Sequence, residues 1–314
     1  MSAEPDVSVV MGVRDGAASL RETIDSVLSQ EGVDLEVVVV DDGSTDGTGR
    51  ILEEMAAVDS RIVPVRQDRE GLTSALIAGC RRARGRYIAR QDAGDLSLPG
   101  RLSAQKGVLD ADPAVTMVSC GTRFLGPGGE ELFEVNPPPG DATEGLQRLD
   151  ARKIRGPSHH GSVMFRRADY ERSGGYRREF YYAQDLDLWT RLVERGRRHE
   201  TTGKVMYQAT LSAGSISALR RGEQVQTAEL IVEAARLRRQ GRGEEMVLAK
   251  AARIRPGDGT PSRSRKGRTM YFVAMCLRKR GDARYRGYLK EAVRQNPLLL
   301  RGWARLLLPG KVAR

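Results

Sequence analysis

The sequence predicts an α/β fold: a Rossmann-like, mostly parallel sheet flanked by helices, with a C-terminal α-helical extension. Three observations predict it. Short β-branched runs alternate with stretches of helical spacing from residue 7 to residue 90, acidic loops follow these runs, and the charge balance changes sign late in the 314-residue chain. Strands and helices that alternate with short connections mark a doubly wound parallel sheet. Ligands of such sheets gather at the carboxyl ends of the strands.

Taken in order, Val7–Met11 is an apolar run that reads as the first strand. Ser19–Gln30 places Leu20, Ile24, Val27 and Leu28 at helical spacing. Leu35–Val40 is β-branched with little alternation, as expected of a strand buried on both faces. A helix over 49–57, a strand over 61–65, a helix over 72–84 and a strand over 86–90 follow. The Pro-rich stretch Asn136–Gly140 reads as a loop.

The charge pattern sets the domain reading. From Ser217 onward there are 24 Lys/Arg against 8 Asp/Glu; before it, 28 against 33. A boundary near Ser212–Ser217 therefore divides an α/β domain, 1–215, from a basic helical extension, 216–314. Within the extension, Arg255–Arg268 reads as a linker, with helices expected over 269–280, 284–296 and after Pro297. That pattern has the character of a single tetratricopeptide-like unit. Cys80, Cys120 and Cys276 are far apart, which suits a reduced cytoplasmic set and not a disulfide framework or zinc site. No run approaches the roughly 18 apolar residues of a membrane span, and the acidic start does not read as a signal peptide.

Candidate chemistry lies in three acidic segments. Asp41-Asp42-Gly43-Ser44 ends the second strand, where a carboxylate can meet a base or ribose; an Asx turn is the plainer alternative. Gln91-Asp92-Ala93-Gly94-Asp95 ends the fourth, and carboxylates so close together suit a shared Mg²⁺ or Mn²⁺. Asp185 and Asp187 sit among Tyr181, Tyr182, Leu186, Leu188 and Trp189, where burial favours a general base and helix capping is the alternative. Three such segments in this order favour the functional reading over three separate turns.

These residues resemble the family 2 glycosyltransferases, inverting enzymes with a GT-A fold. The resemblance covers about residues 5–215 and rests on 7–11, 38–46, Glu70-Gly71-Leu72, 87–92, Pro99-Gly100-Arg101-Leu102 and 183–189. It implies a nucleotide-diphosphate sugar as donor and a glycan or lipid-linked acceptor hydroxyl. Val13, Arg14, Asp15, Asp42, Gly71, Leu72 and Asp92 would bind the donor. Asp185 would be the catalytic base, with Gln184 and Trp189 at the acceptor pocket. Where the family commonly has a second Asp this chain has Gly94, which leaves Asp92, Asp95 and His160 as ligands for Mg²⁺ or Mn²⁺. Glycan synthesis for a polysaccharide, glycolipid or cell envelope would be the setting. Acceptor discrimination is expected in 124–149.

Two other classes stay open at this point: a non-catalytic nucleotide-sugar-binding relative, and a sugar nucleotidyltransferase. The basic tail adds an expectation of its own. Leu298–Leu308 mixes Leu, Trp and Arg, as an interfacial helix on an anionic membrane would, and packing against the catalytic domain is the alternative. Sparse aromatics, 5% of the chain, count against nucleic acid. The resulting location is cytoplasmic, peripheral at the inner face of the cell membrane.

Overall fold

The computed structural model describes residues 4–194, 196–211, 221–255 and 263–307. The alternation read from the sequence is present: β1 (Val7–Val13), α1 (Leu20–Leu28), β2 (Leu35–Asp42), α2 (Thr48–Val58), β3 (Ile62–Gln67), α3 (Leu72–Arg82) and β4 (Tyr87–Arg90). Strands β1 to β4 pair in parallel in the order β3-β2-β1-β4. All eight residues of β2 are buried, because helices cover both faces of this part of the sheet.

Beyond β4 the sheet changes direction. β5 (Leu96–Ser97), β6 (Val115–Leu125), β9 (Val163–Arg166) and β10 (Arg198–Thr210) extend it in the order β4-β9-β6-β10-β5, and β9 runs antiparallel to both β4 and β6. β7 (Glu131–Val135) pairs with β6 and β8 (Gly140–Asp141) with β10. Helices α4 (Arg101–Ala111), α5 (Thr143–Gln147), α6 (Arg167–Arg172) and α7 (Gln184–Leu192) flank these strands. Because β1, β2 and β4 run parallel, their carboxyl ends share one edge, where an open α/β sheet receives its ligand.

The described helices of the basic region are α8 (Arg221–Arg239), α9 (Glu245–Ala251), α10 (Arg263–Lys279), α11 (Tyr285–Gln295) and α12 (Leu300–Leu307). By packing the chain forms two units. Residues 225–255, with most of α8 and all of α9, belong to the first, alongside 1–122 and 135–209. The second comprises 123–134, 210–224 and 256–314, with a core of Leu132, Val273, Ala274, Leu277, Tyr285 and Leu289. The expected boundary at Ser212–Ser217 lies outside the described residues, as does much of the expected 255–268 linker. Residues 263–268 are helical instead. Gly267 allows this: a Cβ there would come within 2.6 Å of Asn296 Cβ, so the missing side chain lets α10 close on the end of α11. No helix among the described residues is long and apolar enough to cross a membrane.

Candidate active site

The loops after β1 and β2 are stitched together. Asp15, at φ 49°, donates its N–H to Ser44 Oγ (2.9 Å), and its Oδ1 accepts from Thr45 N–H (2.8 Å). Asp46 accepts from Ala17 N–H (3.1 Å) and Thr48 N–H (2.9 Å). Arg14 approaches Asp15 at 3.6 Å, and both are exposed. Val13 sends its side chain into the core, so it offers the site backbone alone.

Asp42 draws in a third loop. Its Oδ1 accepts from Gln67 Nε2 (2.7 Å) and Glu70 N–H (2.8 Å), and its Oδ2 from Gly71 N–H (2.9 Å). Gly71 has φ 93°, and a Cβ there would meet the Tyr181 ring at 2.9 Å, so the position has both a conformational and a steric need for glycine. Leu72 starts α3 and lies against Gly12, whose missing Cβ would otherwise come within 3.1 Å of it. Val13, Arg14, Asp15, Asp42, Gly71 and Leu72 are thereby gathered at the ends of β1 and β2.

Two fully buried arginines shape the next turn. Arg90 donates to Val10 O (2.7 Å) and Gln91 O (2.6 Å) and pairs with Asp92. Arg101 donates to Arg90 O (2.7 Å), Ser97 Oγ (2.8 Å) and Gln91 Oε1 (3.1 Å). Buried charge is tolerated where it is paired or hydrogen-bonded, and both cations meet that condition. Asp95 N–H closes the turn on Asp92 O (3.2 Å), while Gly94, at φ 91°, donates to Thr23 Oγ1 (3.0 Å). Gly94 therefore answers a backbone need.

The turn brings Asp92 and Asp95 to His159. One ligand atom from each lies within 4.8 Å of the others. His159 Nδ1 is 3.6 Å from Asp92 Oδ2 and 3.7 Å from Asp95 Oδ2. Gly161 N–H donates to that Nδ1 at 3.1 Å, which makes it the unprotonated ring nitrogen. Burial lowers the His159 pKa against the pull of Asp92. Burial also opposes charge on Asp92, but the Arg90 guanidinium outweighs it and holds the carboxyl at about 2. Two carboxylates with an imidazole make a candidate site for a divalent cation such as Mn²⁺, which would take the Nδ1 lone pair that now accepts from Gly161 N–H.

His160, the histidine expected at the metal, lies elsewhere. Its Nε2 shares a hydrogen bond with Tyr176 OH (2.7 Å) and receives Arg90 Nε (3.4 Å), and its ring is edge-on to Trp189. Burial, then Arg90, pushes its pKa well down. The backbone is the reason: His159 is the extended N-cap (φ −154°, ψ 147°) of the 3-10 turn His160–Ser162, so the two side chains leave in different directions. Sequence reasoning also missed Tyr207 on β10. Its hydroxyl receives Asp92 N–H (3.0 Å) and donates to Asp95 Oδ2 (3.0 Å), and its ring stacks on His159. Nothing local in the chain signals a partnership across 115 residues.

On α7, Asp185 accepts its own helix's Leu186 N–H (2.8 Å). Burial pushes its carboxyl above the usual range, and Asp92 adds to the rise. Asp187 differs: it is fully buried and paired with Arg177 and Arg191, which hold it below the usual range although burial works the other way. Gln184 is buried. Trp189 packs against Gly156, where a Cβ would stand 3.0 Å from the indole, and its buried N–H has no partner among the described residues.

With fold and site in view, the chain can be placed among known proteins. Sheet order, acidic turn and flanking helices define a GT-A type fold. Residues 8–172 match glycosyl transferase family 2, and the chain belongs to that family. EpsE of Bacillus subtilis (strain 168), named as a glycosyltransferase, is 34% identical over 66% of this chain and 74% of its own length. A Rickettsia prowazekii (strain Madrid E) glycosyltransferase is 27% identical over 59% and 58%. Among solved structures, S. aureus TarS 1-349 in complex with UDP-GlcNAc has a TM-score of 0.56 at 14% identity, covering 96% of this chain and 92% of that one. The mannosyltransferase PcManGT from Pyrobaculum calidifontis, in complex with GDP-Man and Mn²⁺, has 0.54 at 21% identity, covering 99% and 89%. At these identities the structural likeness concerns the fold.

Proposed function

We propose that this glycosyltransferase moves a sugar from a nucleoside diphosphate to an acceptor hydroxyl with inversion, using Asp185 as base. The observation that carries the reading is the contrast on α7: Asp187 is locked in ion pairs, whereas Asp185 has a raised pKa and feels the charge of Asp92. Asp185 takes the proton as the acceptor oxygen bonds to the anomeric carbon. The bond from that carbon to the phosphate oxygen breaks on the opposite face, and the nucleoside diphosphate departs with the electron pair.

Residues 1–215 would hold this chemistry. The loops carrying Val13, Arg14, Asp15, Asp42, Gly71 and Leu72 would receive the nucleoside, with Asp92 beside the diphosphate and Gln184 and Trp189 behind the acceptor. Asp92, Asp95 and His159 would hold Mn²⁺ or Mg²⁺, which neutralises charge on a departing diphosphate when bound. The donors named with TarS and PcManGT, UDP-GlcNAc and GDP-Man, support a nucleotide sugar and supply the first probes. Calorimetric titration of UDP-, GDP- and TDP-sugars with and without Mn²⁺, on wild type and Asp92→Ala, tests the reading. Metal-dependent binding of one donor, lost in the variant, is expected. Binding of none would overturn the enzyme reading.

The acceptor would be a glycan or lipid-linked hydroxyl in polysaccharide, glycolipid or envelope synthesis, reached at the cytoplasmic face of the membrane. Support comes from α12. Leu299, Gly302 and Leu306 turn inward, while Leu300, Trp303 and Leu307 form an exposed stripe beside Arg301 and Arg305. Apolar residues flanked by cations suit an anionic bilayer surface. Flotation with phosphatidylglycerol vesicles, lost in Trp303→Ser/Leu307→Ser, is expected; equal flotation of both proteins would remove the membrane contact.

A further inference from the structure

The segment leading into α7 is pinned by two helices that lie well past the strands of the sheet in the chain. Phe180, Ile231 of α8 and Ala251 of α9 form one buried apolar cluster, and Ala183, Leu186, Leu230 and Leu248 pack against it. Thr73 Oγ1 donates to Phe180 O (3.0 Å), tying the same segment to α3. Arg255 donates to Arg178 O (3.0 Å) and Glu179 O (3.3 Å). Ala183, the residue before α7, holds φ 49°, a backbone state that non-glycine residues keep only when their surroundings impose it.

A chain of ion pairs reaches both ends of the helix. Arg191 and Arg177 grip Asp187, two residues beyond Asp185. Arg177 Nη1 also donates to Glu244 Oε1 (2.7 Å), and Arg238 Nη1 to Glu244 Oε2 (2.7 Å). Arg238 then grips Glu194, just past the end of α7, through Nη2 (2.7 Å) and Nε (2.9 Å). Arg177, Arg191, Glu194, Arg238 and Glu244 line a cavity of about 360 Å³, so charge joins the helices there.

We propose that α8 and α9 clamp α7, with Glu244 and Arg238 as positioning residues that set where Asp185 stands. This rests on Asp185 being the base. The clamp gives part of the basic region a task in the transfer itself: it fixes the rotation of the helix whose first turn carries the base. Small displacements of a reacting group are enough to cost a large factor in rate.

Glu244→Gln keeps the shape and removes the charge. Two measurements test it: amide exchange over 184–192, and release of UDP from UDP-GlcNAc or GDP from GDP-mannose under Mn²⁺, in wild-type and Asp185→Asn backgrounds. Expected are faster exchange confined to α7, unchanged donor KM, and turnover lower by about ten- to a hundredfold, with no further loss in Asp185→Asn. Unchanged exchange at α7, loosening throughout the unit, or an equal loss in both backgrounds would overturn the clamp. Where Glu244→Gln does not fold, Arg238→Lys carries the same test, since it keeps the charge and loses the two-pronged grip. Full turnover by Asp185→Asn alone would retire Asp185 as base, and the exchange result would still decide the clamp.

Discussion

The carboxylates at the end of β2 and those at the end of β4 look alike in the sequence and are used in opposite ways. Asp42 accepts from Gln67, Glu70 and Gly71, and Asp15 and Asp46 accept from backbone N–H groups of facing loops. These acids tie the loops that follow β1, β2 and β3 to one another. Asp92 and Asp95 instead share one small space with His159, and the donors around them, Arg90 and Tyr207, hold them in place from behind. The difference teaches that an acidic motif is defined by what its oxygens face. N–H groups make it architecture; a second carboxylate and an imidazole make it a candidate cation site. The pair on α7 repeats the contrast in miniature, with Asp187 committed to arginines and Asp185 left to its own helix's N–H.

That contrast can be broken most severely at Asp185. Asp185→Asn should lower kcat by about 10²–10⁴-fold, the usual worth of a general base, with donor binding by calorimetry unchanged. Because burial raises the Asp185 pKa, wild-type activity should fall on the acid side at a pH above the ordinary carboxylate range, as protonation removes the base. Next come the groups around the cation site. His159→Ala should abolish most Mn²⁺ affinity, whereas His160→Ala should leave it nearly intact. Tyr207→Phe should weaken it about 10–100-fold, the usual effect of losing an outer hydrogen bond. Equal Mn²⁺ affinities for the two histidine variants would erase the distinction.

Smaller effects are expected where carboxylates are architectural. Asp42→Asn turns an amide NH₂ toward a backbone donor, Glu70 N–H or Gly71 N–H, and should cost about 1–3 kcal/mol of stability, measured in urea, with Mn²⁺ affinity unchanged. For Asp187 the sign follows from its depressed pKa. Its contribution is complete above the unfolded value of about 3.9 and is lost as pH falls through the lower folded value. Wild type should therefore lose stability in that acid window, and Asp187→Asn, weaker at neutral pH, should show a flatter profile there.

The periodicity of residues 7–90 was enough to read the parallel half of the sheet, because a strand buried on both faces must be continuously apolar and its crossover helices amphipathic. The order of acidic motifs placed Asp42, Asp92 and Asp185 near the right strand and helix ends for the same local reason. The short, reversing strands beyond β4 carry no comparable signal, and the helical start of α10 appears only once Gly267 meets α11. Which of two adjacent histidines faces Asp92 depended on the backbone where extended His159 enters a 3-10 turn. That Tyr207 joins them, and that Glu244 reaches Arg177, depended on contacts between residues 115 and 67 apart. A sequence by itself fixes what each segment must bury. Which charges then meet is settled when distant segments close on one another, since partner choice follows from distance in space and not along the chain.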